Sequence, residues 1–329
     1  MKYRPFGKHL FDCSEIGFGA WAIGGSWGAQ ADDDSLAALH RALDLGVNFI
    51  DTAAGYGDGR SEKLIAQVLR ERVAAGRKER IYVATKTPPT DGIWPPSPYC
   101  RAEERYGENY LRDNVATRCA NLGTDKIDLL QLHTWTRAWN RNPTPFKVLR
   151  ALQAEGKIGF IGVSTPEHDQ NAVIDLMRGG WIDSVQVIYN LFEQEPAAEL
   201  LDVAKECGVG VIVRVVFDEG VLTGKFTHDT TFPPDDFRAN YFEGDRLERA
   251  VTRAERIRAD LEGSGYTMAQ AAIKFVLAHP AVSTVIPGIR NVAQADANCG
   301  VSEMAPMRAD LLTKLHRHNW RRAFWYGGK

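Results

Sequence analysis

The chain is poor in cysteine, in long apolar runs and in surplus charge of either sign, and each shortage removes a class of protein. Its five cysteines, Cys13, Cys100, Cys119, Cys207 and Cys299, are scattered over 329 residues without a CxxC pair. An odd, dispersed set offers neither a disulfide framework nor a zinc site, and it suits a reducing compartment. With no HExxH motif and no cluster of His and Cys, no metal is expected. No stretch approaches the roughly 18 consecutive apolar residues of a membrane span, and the opening MKYRPFGKHLFD lacks the apolar core of a secretory signal. A cytoplasmic protein with no membrane partner is expected. Lys and Arg number 40 against 42 Asp and Glu, a formal charge of −2, so there is no global attraction for nucleic acid. Small molecules are the favoured partners.

What is present is a repeat. Short β-branched or apolar runs alternate with helical patterns, the mark of consecutive βα units. Eight runs read as strands: Glu15–Trp21, Val47–Ala53, Arg80–Lys86, Lys126–His133, Ile158–Ser164, Ser184–Asn190, Val209–Phe217 and Val282–Gly288. Between them lie patterns such as SLAALHRALDLG, where Leu36, Leu39, Leu43 and Leu45 form an apolar stripe and Gly46 supplies a stop. Runs apolar on both faces belong to a parallel sheet covered by helices. Eight such units fit a closed α/β (β/α)8 TIM barrel better than an open doubly wound sheet. The whole chain, 1–329, reads as one such domain.

Three segments stand outside the repeat. YRPFGKHLFDC reads as an N-terminal β-hairpin turning at Gly7 and Lys8. Long loops follow strands three and seven, Pro88–Gly107 and Asp218–Asp245, on the face where barrel enzymes keep their chemistry. Two nucleotide motifs fail on inspection. Gly17, Gly19 and Ala22 have dinucleotide-fingerprint spacing, but Gly24, Gly25 and Gly28 break the helix that must follow, and GVLTGK is too short between its glycines for a P-loop. The basic, aromatic ending KLHRHNWRRAFWYGGK fits a cover over the barrel better than a nucleic-acid site on a near-neutral chain.

Asp51, Lys86 and His133 close strands two, three and four, and Tyr56 stands just beyond strand two. Singly they read as a cap, a solvated strand end and an edge histidine. In a barrel, however, these ends converge on one mouth. A tyrosine with a reference pKa of about 10 becomes a better acid beside an ammonium, so Lys86 is expected to lower Tyr56. Asp51 is expected to hold Lys86 by an ion pair, and His133 to hydrogen-bond the oxygen of an incoming carbonyl. The set suits proton transfer to a carbonyl oxygen. A lysine at a barrel strand end also suits Schiff-base chemistry, which would make the chain an aldolase or lyase.

The segments NFIDTAAGYGDGRSEKLIAQVL, VATK, LGTDKIDLLQLH and GKIGFIGVS are close to the motifs of the aldo-keto reductases and come in the same order. The chain resembles that family over essentially its whole length. The resemblance implies an NAD(P)H-dependent reductase of an aldehyde, ketone or sugar, with Asp51, Tyr56, Lys86 and His133 as a tetrad and Tyr56 as general acid. It assigns Ser164 and Gln186 to the nicotinamide carboxamide and brings the backbone near Ala20 and Trp21 to the cofactor, together with Asp51. It places Arg214, Val215, Phe217, Gly220 and Lys225, at and after strand seven, against the cofactor too. VIPGIRNVAQADANCG is implied to carry the adenosine end: Gly288 admits the backbone, Arg290 pairs with a 2′-phosphate, and Gln294 and Asn298 face the adenine. NADP(H) is therefore expected, with NAD(H) also compatible. A cofactor-sensing regulatory subunit, resembling the potassium-channel β subunits of the same fold, is a further reading that an intact tetrad disfavours.

Two positions depart from the family pattern. Where Ser-Asn is usual after strand five, Ser164 is followed by Thr165, and where an aromatic residue commonly stacks on the nicotinamide, strand seven has Arg214. A guanidinium there can stack, attract an anionic substrate, or pair with Asp218 or Glu219. Trp21, Trp27, Trp94 and Trp135, with Tyr56 and His133, are expected to wall the substrate pocket, which would suit a sugar or cyclic ketone.

Overall fold

A computed structural model of the chain describes residues 1–25 and 27–320. Eight strands follow one another around a parallel sheet in chain order. They are β3 (Phe18–Gly19), β4 (Phe49–Asp51), β5 (Tyr82–Thr87), β6 (Ile127–Leu132), β7 (Ile158–Ser164), β8 (Ser184–Ile188), β9 (Gly210–Arg214) and β10 (Val282–Val285), preceded by a hairpin of β1 (Tyr3–Pro5) and β2 (Asp12–Ser14). The ring closes where Gly17 N donates to Val285 O at 2.8 Å and Gly19 N to Pro287 O at 3.0 Å. The expected (β/α)8 barrel with its N-terminal hairpin is the observed fold.

The ladder of the first barrel strand is shorter than the expected Glu15–Trp21. Its backbone runs so close to the last strand that a Cβ on Gly19 would lie 2.6 Å from Ile286 O, and the chain then leaves the sheet for a 3-10 turn at Ala22–Gly24. β9 likewise stops at Arg214, before the expected Phe217, because Val215 takes a left-handed φ of 56°.

Helices cover the outside. Helix Asp32–Asp44 begins with Asp32, Asp33 and Asp34 at its positive end, buries Ala38, Leu39, Ala42 and Leu43, and is followed by Gly46 at φ 92°. Helix Met268–Leu277 starts in a capping box made by Thr267 and Gln270. The long segments after β5 and β9 are partly ordered as helix, at Ala102–Arg105, Asp218–Thr223 and Phe237–Tyr241.

The hairpin plugs the bottom of the barrel. Its turn is wider than the expected two-residue reversal at Gly7 and Lys8: Phe6 N donates to Phe11 O at 2.9 Å, and both Gly7 and His9 have positive φ. This brings Phe6 onto Phe11 and Phe49, with ring centroids 4.7 and 5.7 Å away. These rings join Ala84, Leu129 and Ile212 in the barrel interior.

At the other end of the chain, helix Ala309–His316 buries Leu311 and Leu315, and Trp320 packs edge-on against Phe192. The remainder of KLHRHNWRRAFWYGGK, expected to cover the barrel, lies outside the described residues. Among the described residues no helix is long and apolar enough to cross a membrane.

Candidate active site

The polar strand ends meet at the C-terminal mouth. Lys86 projects from β5, fully buried, and its ammonium donates to three oxygens: Asp51 Oδ2 at 2.6 Å, Thr52 O at 2.9 Å and Tyr56 Oη at 3.0 Å. Asp51 is itself held from two more strands. Gln131 Nε2 and Gln186 Nε2 both donate to its Oδ1, at 3.1 and 2.7 Å. The Tyr56 loop is positioned by backbone packing that only glycine permits. A Cβ on Gly24 would lie 2.7 Å from the Tyr56 carbonyl carbon, and one on Gly57 would lie 2.2 Å from Gly24 O.

The electrostatics correct one expectation. Removal from bulk water raises the Tyr56 hydroxyl above its usual value, and Lys86, which opposes the rise, does not reverse it. The expected lowering of Tyr56 by Lys86 is thus outweighed by desolvation. For Lys86, burial pulls the ammonium down, but Asp51 and Tyr56 more than restore it, so the group stays charged. Burial, reinforced by Lys86 and Arg214, pushes the His133 imidazole down to about 3, so it is neutral at any working pH.

These residues open onto a cavity of about 1420 Å3. Asp51, Tyr56, His133 and Gln186 line its inner end, together with Ala20 and Trp21. Val215, Phe217, Gly220 and Lys225 line it from the segment after β9, and Gly288, Arg290, Gln294 and Asn298 from the segment after β10. Ser164, expected at the cofactor, is not among the cavity-lining residues; it is fully buried beside Gln186, its Oγ 3.5 Å from Gln186 Oε1. Thr165, in the place of the family's Asn, directs its hydroxyl to Gln186 O and Gln170 Oε1.

Two of the four expected pocket tryptophans are present. Trp21 lies over Tyr56, its ring centroid 6.2 Å away, and Trp27 meets Trp21 edge-on. Trp94 and Trp135 are not among the cavity-lining residues. Trp135 is fully buried between Trp139 and Phe146 with its Nε1 donating to Asn140, and Trp94 packs on Trp139. Aromatic side chains that follow a barrel strand have more than one apolar place to go, and these two gather on Trp139.

The structure adds residues that sequence reasoning missed. Gln131 grips Asp51; its signal was a lone polar side chain inside DLLQLH. Glu167 accepts from Arg214 Nη2 at 2.9 Å, a partner other than the expected Asp218 or Glu219, while Thr165 O accepts from the same nitrogen at 3.1 Å. Phe237 and Arg238 reach across from the segment after β9, Phe237 to Trp21 at 5.1 Å and Arg238 over Trp27 at 4.9 Å. Glu219 also lines the cavity, and burial pushes its carboxyl up to about 7.

A closed barrel with a hydrogen-bonded Asp-Lys-Tyr cluster buried beneath a cavity of about 1420 Å3 defines the class to which the chain belongs. The chain belongs to the aldo/keto reductase family, whose profile matches residues 15–319, and it is an oxidoreductase. It is 30% identical to an aldo-keto reductase of Bacillus subtilis, over 90% of this chain and 87% of that one. It is 28% identical to the NADH-specific methylglyoxal reductase of Escherichia coli, over 94% and 98%, and 29% identical to a D-threo-aldose 1-dehydrogenase of a Pseudomonas species, over 86% and 87%. Among solved structures, a glycerol dehydrogenase from Gluconobacter oxydans superposes with a TM-score of 0.76 at 25% identity, covering 96% of this chain and 94% of that one. Aldo-keto reductases work with a nicotinamide dinucleotide and act on small carbonyl or sugar substrates.

Proposed function

We propose that the chain reduces a small carbonyl compound with a nicotinamide dinucleotide, NADPH in preference to NADH, and that Tyr56 is the acid. One observation carries this reading: all three protons of the Lys86 ammonium are placed, on Asp51, Thr52 O and Tyr56 Oη. Since Tyr56 oxygen accepts from the ammonium, its own hydroxyl hydrogen is directed elsewhere, toward the cavity it lines. A carbonyl oxygen there meets that hydrogen, and the neutral His133 can donate to the same oxygen from its ring N–H. As negative charge grows on the carbonyl oxygen, the proton passes from Tyr56, and Lys86 stabilises the phenolate left behind. When bound, the dinucleotide supplies the hydride.

The cavity fits such a group. It exceeds the roughly 300–1,000 Å3 of ordinary small-molecule pockets. An added Cβ on Gly288 would meet nothing within 4 Å, so backbone is open to a ligand there, and Trp27 Nε1 is buried without a hydrogen-bond partner at the wall. Gln186 would hold the carboxamide, with Ser164 buried behind it, and Gln294 and Asn298 would hold the adenine. Arg290 supports the preference for NADPH. Its guanidinium is fixed by Nε to Gln30 Oε1 at 2.8 Å and by Nη2 to Ala29 O at 2.6 Å, which orients a cation at the cavity rim for a 2′-phosphate. The placement of Lys86 argues against a Schiff-base aldolase, because a buried, charged amine with three acceptors is a poor nucleophile. The aromatic wall of Trp21, Trp27 and Phe237 suits a sugar or cyclic ketone.

The test is fluorescence titration of NADPH and NADH, followed by a panel of aldehydes, ketones and sugars, with wild type beside Tyr56→Phe. Tyr56→Phe is expected to lose about 10²- to 10⁴-fold in carbonyl reduction, the usual worth of a positioned acid, with dinucleotide affinity kept within about twofold of wild type. Full activity in Tyr56→Phe would remove the proposed acid, and failure to bind either dinucleotide would remove the reading.

A further inference from the structure

The inner end of the cavity holds more positive charge than the proton relay requires. Lys86 is a buried ammonium whose partner Asp51 is already committed to it and to two glutamines. Arg214, from the end of β9, lines the same cavity as Tyr56, His133 and Gln186. An arginine carries its charge at any working pH. Its Nη2 is pinned by Thr165 O and by Glu167, so the cation cannot swing out to water without breaking both bonds. The two members of the ion pair differ in exposure: the Arg214 side chain is 16% exposed and that of Glu167 is 36% exposed. Water therefore screens the carboxylate more than it screens the guanidinium, and Glu219, which lines the same cavity, is pushed up to about 7 by burial and so opposes the guanidinium only in part. The field of Arg214 reaches the site, since it opposes the rise at Tyr56 and adds to the fall at His133.

The reduced nicotinamide ring is neutral and the oxidised ring is a pyridinium cation. A fixed cation in a partly water-excluded cavity costs the oxidised form more than the reduced one. We propose that the Arg214–Glu167 pair is a specificity device for the redox state of the dinucleotide, with Arg214 disfavouring the oxidised form and Glu167 moderating that effect. The inference rests on the nicotinamide reading of this site. Its consequence is directional: the free enzyme holds the reduced dinucleotide and releases the oxidised one, which favours turnover as a reductase over turnover as an alcohol dehydrogenase.

The experiment measures two dissociation constants, for NADP⁺ and NADPH, by quenching of tryptophan fluorescence in the wild type and three variants. The readout is the ratio of oxidised to reduced Kd, independent of catalysis. Arg214→Met, which keeps length and removes charge, is expected to lower that ratio by about tenfold, the factor given by ~1.4 kcal/mol. Arg214→Lys, which keeps the charge, is expected to preserve it. Glu167→Gln, at a partly exposed position, is expected to raise it by about threefold, or ~0.65 kcal/mol. A ratio that stays constant in all three variants while both affinities move in parallel would make the pair merely structural and overturn the inference, leaving the reductase reading intact. A changed KM for anionic carbonyl substrates at constant ratio would overturn it in favour of substrate reading. Failure of the wild type to bind either form would overturn the function and the inference together.

Discussion

At the scale of single residues, the site is governed by desolvation as much as by pairing. Glu219 is the clearest case. It is buried, its backbone takes a left-handed φ of 54°, and its carboxyl is pushed up to about 7 by burial and by Glu167, with Arg214 and Arg238 opposing. A carboxyl whose folded pKa lies above its unfolded value stabilises the fold at low pH, and that contribution is lost as pH rises through the folded value. Between about pH 4.5 and 7 the native state should lose on the order of 3 kcal/mol from this group. Glu219→Gln removes the titration, so melting temperatures at pH 5 and pH 8 should differ less in the variant than in the wild type. An equal pH dependence in both proteins would show that the Glu219 carboxyl is not held neutral.

At the scale of elements, function and stability occupy opposite ends of the barrel. The hairpin of β1 and β2 closes the bottom through Phe6, which is fully buried against Phe11, Phe49 and the backbone of Gly210. Phe6→Ala should therefore cost about 3–5 kcal/mol in urea unfolding while leaving the kcat of the folded fraction unchanged. A fall in kcat at full folding would mean that the plug also shapes the mouth. The segment after β9 works in the reverse sense. Val215, Asp218 and Glu219 all hold positive φ, at a cost of order 1–3 kcal/mol each, in a stretch that lines the cavity. Such strain is maintained where a site needs it. This segment also marks the limit of sequence reading. Strand ends were legible because a lone Asp, Lys or His at the edge of an apolar run stands out. The left-handed turn of Val215, by contrast, violates the preference of its residue type, so no local rule foretells it.

At the scale of the whole molecule, the repeat of apolar runs and glycine stops contained the barrel, because period and spacing are set by backbone geometry alone. It contained the meeting of Asp51, Lys86, Tyr56 and His133, because closure forces all strand ends to one mouth. It did not contain the partners that arrive from far along the chain. Glu167 reaches Arg214 from the segment after β7, and Arg238 reaches Trp27 from the segment after β9 to the segment after β3. Those contacts depend on the course of loops, which composition leaves free. Nor could the tryptophan count tell the inside of the wall from the outside, which is why Trp94 and Trp135 join Trp139 instead of the cavity.

The three bonds that hold the Lys86 ammonium also make it a timer. An acylating reagent attacks only a neutral, accessible amine, and Lys86 is fully buried and kept charged by Asp51. Labelling followed over hours, with each lysine read by peptide mass, should mark the surface lysines early and Lys86 late. Its delay would record how seldom the barrel mouth opens. Early acylation of Lys86 would mean that the mouth breathes freely and that the ion pair breaks with each opening.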